Sequence, residues 1–421
     1  FKFIDERFGL GVASTVKDAA ADDTSASSNE EDSNAVVIKF VNDLIKRCIH
    51  ERATDIHFEP QRESLIIRYR VDGDLIIARV PDNLKDFQLA IVSRLKIMAR
   101  LNISEKRLPQ DGKIMFKCDD ELIDIRVSTL PAIYGESVSL RLLNNSFIPK
   151  GIENIFLNKK HKNTLKHALA SPHGIILVTG PTGSGKSTTL SACLQTIRTP
   201  EKRLMTVEDP IEYEISGINQ TQINPAIGLT FGHVLRSILR QDPDIIMIGE
   251  IRDRETADIA IRASITGHLV LSTLHTNDAV GAITRLCDIG VEKFLLASAM
   301  KLVIAQRLVR KLCTYCAIPE DFSKFPRKEA EQIFATKNFG NAHRAVGCEH
   351  CNNTGFFGRI GVFEFLEIND DIHAAIVADV PESEIRSTAK RNHMRPLKSD
   401  ILNNIRLGIT SISEAIRVIE H

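Results

Sequence analysis

The chain has 421 residues, with Lys+Arg 54 against Asp+Glu 54. That length exceeds what one hydrophobic core serves and implies two or three domains. The balanced charge excludes the strongly basic field that would recommend nucleic acid or anionic lipid as the main partner. No apolar stretch approaches the about 20 residues of a membrane span. The start, Phe1 to Glu6, has no signal-peptide pattern, so a cytosolic protein is expected. The first residue is Phe, which suggests that an upstream region precedes this sequence.

Lys17 to Asn34 is acidic, Ser/Ala-rich and poor in large apolar groups, and reads as a flexible linker closing a segment 1–34. Val37, Phe40, Val41, Leu44, Ile45 and Cys48 then recur at helical spacing. Asp55 to Glu59 alternates like a strand. Leu65, Ile67, Tyr69 and Val71 alternate with Ile66, Arg68 and Arg70 up to the turn signal Asp72-Gly73, after which Leu75 to Ile77 completes a hairpin. A helix is expected from about Phe87 to Leu101. Ile114, Phe116 and Cys118, a turn at Asp119-Asp120, then Ile123, Ile125 and Val127 predict a second hairpin, and Val138 to Leu142 a further strand. Residues 35–148 therefore read as a small α+β domain. Arg70, Arg126 and Arg141 lie on the polar sides of its strands, where residue type alone suggests solvated surface.

From residue 149 strands alternate with helices, the signature of a parallel α/β sheet. The predicted strands are Ile175–Val178, Leu204–Val207, Ile245–Ile248 and Leu269–Leu274. After the first comes Gly180-Pro181-Thr182-Gly183-Ser184-Gly185-Lys186-Ser187, a full match to the phosphate-binding pattern G-x-x-x-x-G-K-[ST], with Thr188 directly after it. Glycines let backbone amides turn toward phosphate oxygens, and the helix N-terminus adds its positive end. Lys186 is expected to reach the β- and γ-phosphates and Ser187 to hold a magnesium ion.

In an open α/β sheet, ligands lie beyond the carboxyl ends of the strands. The next three strands end in Glu208-Asp209-Pro210, Gly249-Glu250 and His275. Hydrolysis needs a carboxylate to orient or deprotonate water, with cations offsetting charge on the γ-phosphoryl group. Glu250 is the first choice and Glu208 the second. Gly249 stands where many such strands carry a magnesium-binding Asp, so Ser187, phosphates and water are expected to hold the ion. His275 reads as a γ-phosphate sensor or part of a polar network.

Eight cysteines are present. Cys48, Cys118, Cys193 and Cys287 read as buried, inert thiols. Cys313, Cys316, Cys348 and Cys351 form two C-x-x-C pairs, which in a reducing compartment favour zinc over disulfides. From Ile372 onward helical patterns dominate, with a capping-box start at Ser411-Ile412-Ser413-Glu414. The tail reads as a small helical appendage for subunit or partner contact.

The segments GPTGSGKST (180–188), TVEDPIEY (206–213), RQDPDIIMIGEIRD (240–253) and TGHLVLSTLHTN (266–277) resemble the Walker A, Asp, Walker B and His boxes of the secretion ATPases. ATDIH (53–57), RYRVDG (68–73), EKRLPQDGK (105–113) and IRVSTLPAIYGESVSLRLL (125–143) resemble more closely the E-type ATPases of type II secretion and the assembly ATPases of type IV pili. The resemblance runs from about residue 35 to the C-terminus. It implies a RecA-like P-loop core over 149–421 and a PAS-like α+β domain over 35–148. Within the larger domain it implies a tetracysteine zinc module at 311–358 and a helical subdomain at 370–421. It further implies a homo-hexamer using ATP, Mg2+ and Zn2+, peripheral on the cytoplasmic face of the inner membrane, with a platform protein and a membrane-anchored recruiting protein as partners. In such rings arginines of the smaller domain approach the nucleotide, which turns Arg126, Arg141 and Arg70 into catalytic candidates. Pseudopilus assembly for type II secretion is the leading function and pilus extension the alternative. A nucleotide-gated scaffold and a DNA translocase are weaker readings, since catalytic residues are present and no aromatic-basic stripe is.

Overall fold

A computed structural model of the chain describes residues 26–143, 149–321, 327–336 and 338–420. The chain divides into two compact units, Phe1–Asn145 and Ser146–His421. The expected linker at 17–34 lies outside the described residues up to 25. From Ala26 it is helical, because α1 spans Ala26–His50. The segment holds no Gly or Pro, so the helix anchored by its packed half extends backwards through residues that tolerate it.

The first unit is a six-stranded sheet, β1 Asp55–Pro60, β2 Leu65–Val71, β3 Asp74–Ile77, β4 Gln110–Cys118, β5 Glu121–Ala132 and β6 Gly135–Leu143. The strands lie in the order β3-β2-β1-β6-β5-β4, and every neighbouring pair is antiparallel. Asp72 and Gly73 take φ of 51° and 101° between paired Val71 and Asp74, the left-handed pair that a two-residue hairpin requires. Period-two burial puts Ile56, Phe58, Ile67, Tyr69, Ile125, Val127, Leu140 and Ile114 in one core with Val41, Leu44 and Ile45 of α1 and Ile91 and Leu95 of α2, Gln88–Met98. The other face carries the charged residues of the strands, such as Arg70, Arg126 and Arg141, together with exposed apolar side chains such as Ile77, Met115, Leu122 and Leu130. Helix α2 is shorter than the expected 87–101.

The second unit is built on a seven-stranded sheet. Five of its strands are β7 Gly174–Thr179, β8 Leu204–Glu208, β9 Asn219–Gln222, β10 Ile245–Ile248 and β11 Leu269–Leu274. The other two are β12 Met300–Leu312 and β15 Phe356–Glu367, and the order is β15-β12-β7-β11-β10-β8-β9. All neighbours are parallel except β12 and β15. Strands β7, β8, β10 and β11 are buried throughout, as strands covered on both faces must be. Two apolar clusters, one around Ile175, Val207, Ile246 and Val270 and one around Ile176, Val178, Met247 and Leu271, follow from the alternation of these strands.

The long antiparallel pair β12 and β15 is absent from the sequence reading. Between its ends lies the cysteine-bearing excursion, with a short pairing of β13 Ile318–Pro319 and β14 His343–Arg344. The tail comprises α10 Asp370–Val377, α11 Glu382–Arg391, α12 Leu397–Arg406 and α13 Ile412–Glu420. It is not one appendage. Ile372, Ile376, Ile385 and Met394 join the main core, whereas Ile401, Ile405, Ile412 and Ala415 pack with Ala330, Phe334 and Phe339 of the excursion. The expected capping box is half made: Ser411 Oγ accepts from the Glu414 amide at 3.1 Å. The Glu414 carboxylate instead takes the Arg310 guanidinium at 2.9 and 2.7 Å and that of Arg417. Burial alone would raise the Glu414 pKa, but these cationic donors hold it below the usual range.

Candidate nucleotide site

Four strand ends of the second unit meet at one edge. β7 runs into the glycine loop, and α4, Lys186–Ile197, follows. Gly185 adopts φ of 87°, and a Cβ there would lie 2.8 Å from Gln306 Nε2, so only glycine fits this turn. Lys186 Nζ donates to the Gly180 and Pro181 carbonyls at 2.8 and 3.0 Å, and Ser187 is exposed at the start of α4. Ser184 Oγ is buried without a hydrogen-bond partner among the described residues, the state of a loop hydroxyl whose acceptor comes from a bound anion.

Burial lowers the Lys186 ammonium to a pKa of about 8; the Glu250 carboxylate opposes that shift and Arg307 adds to it. Phosphate binding would restore the full charge, so nucleotide binding at about pH 9 should take up a proton and weaken as pH rises through 8. Calorimetry of ADP binding in two buffers of different ionisation heat measures that uptake. Heats independent of the buffer would contradict it.

Glu250 is 12% exposed at the side chain, pairs with Arg252 through one carboxylate oxygen and lies 3.4 Å from His275 Nε2 through the other. His275 is half exposed. Glu208 is held differently: its Oε1 accepts from Thr206 Oγ1 at 2.6 Å and Gln220 Nε2 at 3.0 Å. Burial raises the Glu208 pKa; those two hydrogen bonds oppose the shift, and Glu212 adds to it. Gly249 has a packing explanation. A Cβ there would sit 3.3 Å from Glu208 Cα and 3.4 Å from the Val207 carbonyl, where β8 and β10 run backbone to backbone.

Lys186, Glu250, Glu208 and His275 are thus gathered on neighbouring strand ends. Others were missed by sequence reasoning. Gln306 Oε1 accepts from Thr189 Oγ1 at 2.7 Å behind the phosphate loop, and Arg307 donates to the Asn277 carbonyl at 3.1 Å beside His275. A Gln-Arg pair inside the apolar run of β12 was their available signal, because buried polar groups need partners. Thr179 Oγ1 accepts from the Thr276 amide at 2.9 Å, fixing the two loops to each other.

In the first unit, register places Arg70, Asp55, Arg141, Arg126 and Lys113 side by side across β2, β1, β6, β5 and β4. Arg141 Nε donates to Asp55 Oδ1 at 3.3 Å, Arg70 Nε lies 3.9 Å from Oδ2, and Arg70 also donates to the Gly73 carbonyl at 2.6 Å. Such partly exposed pairs contribute about 0–1 kcal/mol each. Stability therefore does not account for a row of cations on one face.

The four paired cysteines form a second cluster. The β12–β15 neck brings Cys313 beside Gly355, with the Cys313 amide donating to the Gly355 carbonyl at 2.9 Å, so the long interval between the two C-x-x-C pairs is closed by strand pairing. Sulfur separations are 3.8 Å for Cys313 and Cys348, 3.9 Å for Cys316 and Cys351, and 3.7 Å for Cys348 and Cys351. Amides of Gly347 and Gly355 donate to Cys316 and Cys351 Sγ at 3.3 and 3.2 Å. Metal–sulfur bonds of about 2.3 Å give tetrahedral edges of about 3.8 Å, so the donor set fits a structural zinc ion.

A family model described as "Type II/IV secretion system protein" matches residues 30–417. The "Putative type II secretion system protein E" of Escherichia coli is 46% identical over 392 residues, 92% of this chain and 78% of that protein. The "Type II secretion system ATPase E" of Vibrio cholerae is 46% identical over 395 residues, 92% of this chain and 76% of that one. Among solved structures, the pilus retraction motor PilT with bound ADP superposes with TM-score 0.60 at 26% identity, covering 89% of this chain and 96% of that one. The Legionella pneumophila ATPase DotB superposes with TM-score 0.64 at 21% identity, covering 90% and 95%, a likeness of fold.

Proposed function

This chain belongs to the type II/IV secretion system protein family, and we propose that it works as a ring of six copies whose ATP hydrolysis drives pseudopilus assembly in type II secretion. It is an ATP-hydrolysing enzyme of that family. The observation that carries the mechanism is the placing of the Glu250 carboxylate between Arg252 and His275, close enough to Lys186 to shift its pKa. Bound ATP would supply the γ-phosphoryl group, and a magnesium ion would offset the charge on its oxygens. Loop amides and Lys186 would hold the phosphates, Ser187 would offer its hydroxyl to magnesium, and Thr182, Ser184 and Thr188 belong to the same segment. Glu250 orients and deprotonates water, with His275 keeping one carboxylate oxygen in place. Glu208, fixed by Thr206 and Gln220, supports the strand end.

Arg126 and Arg141, with Arg70 as a third, supply the charge that stabilises the transition state, reaching the nucleotide of another copy in the ring. The row they form with Asp55 supports this reading, as does the family resemblance. A PAS-like fold for the first unit is supported by its antiparallel sheet with helices on one face. Zinc in the tetracysteine cluster, clamping the excursion as a closed structural site, is supported by the sulfur separations. The names of the relatives at 46% identity favour type II secretion over pilus extension. Among the described residues no helix is long and apolar enough to cross a membrane. Peripheral attachment to the inner membrane would then run through a platform protein and a membrane-anchored recruiting protein.

Phosphate release per chain should rise with protein concentration in step with ring formation followed by light scattering. A rate per chain that is constant from monomer to ring would contradict a site shared between copies.

A further inference from the structure

Apart from the tetracysteine cluster, one group of donor atoms among the described residues has metal-ligand spacing. We propose that His50, Cys118 and Asp119 form a separate divalent-metal site of the zinc class, which fastens the end of α1 to the tip of the β4–β5 hairpin. His50 is the last residue of α1, Cys118 the last of β4, and Asp119 opens the turn into β5 with φ of 53°. The imidazole nitrogen, the thiol sulfur and a carboxylate oxygen all lie within 4.8 Å of one another.

Pairing of His50 with Asp119 at ion-pair distance accounts for two of the three donors and leaves the thiol beside them unexplained. His50 Nε2 and Asp119 Oδ2 stand 3.7 Å apart, longer than a hydrogen bond. It is close to the edge of about 3.3 Å expected of a tetrahedron with metal–ligand bonds of about 2.0 Å. An exposed His–Asp pair contributes about 0–1 kcal/mol. A helix-terminal histidine can also answer the helix dipole. Neither effect involves the thiol. Cys118 is 3% exposed, so its sulfur is held by the core. The His50 and Asp119 side chains are 59% and 75% exposed, so an ion can reach the site and the two ligands can close by small rotations.

The donor types select the ion. Mg2+ and Ca2+ take oxygen ligands, whereas thiolate with imidazole and one carboxylate suits Zn2+ or Co2+. Three protein donors leave a fourth position for water. The expected structural effect is local. Val41, Leu44 and Ile45 already pack α1 on the sheet, and the ion would pin the end of that helix beyond its apolar stripe.

The test is titration of the full chain, as isolated, with Co2+. A thiolate-to-cobalt charge-transfer band should appear in the near ultraviolet and saturate at a single added ion per chain. Cys118→Ser should abolish it. His50→Ala and Asp119→Ala, at exposed positions that leave the core intact, should each weaken cobalt binding by more than about tenfold. Cys316→Ser should leave the band in place. Absence of the band, its survival in Cys118→Ser, or its loss in Cys316→Ser alone would overturn the assignment.

Discussion

Replacing Glu250 by Gln should lower steady-state phosphate release by about 10²–10⁴-fold, the range supplied by a positioned general base. Nucleotide binding should persist, because the loop, Lys186 and Ser187 are untouched. The amide keeps the size of the carboxylate and can still meet His275, so the loss would report charge and basicity and not packing. Glu208→Gln is the instructive comparison. Its carboxylate already accepts from Thr206 and Gln220 and burial raises its pKa, so the supporting role we propose for it predicts that its replacement disturbs the strand end and nucleotide affinity together. Turnover in Glu250→Gln within a few-fold of the parent would remove this residue from the base role.

The second large effect concerns the arginine row. Arg126→Ala with Arg141→Ala should reduce turnover by about 10³–10⁵-fold, the contribution of an arginine that meets transition-state charge. Thermal stability should change little, since partly exposed pairs such as Arg141 with Asp55 contribute about 0–1 kcal/mol. The split between turnover and melting temperature is the diagnostic: a solvated-surface role predicts neither loss, and a structural role predicts both. Arg70 should matter less, because its guanidinium also donates to the Gly73 carbonyl.

Much of this candidate site is legible in the sequence. The phosphate loop announces itself because eight residues carry the whole demand of the chemistry, and the strand-end acids follow from where parallel sheets open. The Asp72-Gly73 hairpin was legible for the same reason, as its turn requires left-handed residues. What stayed hidden depends on pairing between distant segments. The β12–β15 hairpin encloses the cysteine excursion, so a run of apolar residues with Gln306 and Arg307 inside it gives no local sign of its partner. Gly249 looked like a missing magnesium ligand, whereas the close approach of β8 accounts for it. The arginines were visible singly, but only register shows them standing in one row around Asp55. The tail's helices were legible by periodicity, yet which core each joins is decided by packing.

We propose that hydrolysis belongs to a site built from two copies of the chain, with the phosphate loop and Glu250 from one and the arginine row from another. Its most direct measurement is phosphate release by mixed rings assembled from Glu250→Gln chains and chains carrying Arg126→Ala with Arg141→Ala. Each variant alone should be nearly inactive. The mixture should recover a clear share of parental activity, because some interfaces pair an intact Glu250 with intact arginines. A mixture that assembles fully and stays as inactive as either variant alone would rule out a site shared between copies.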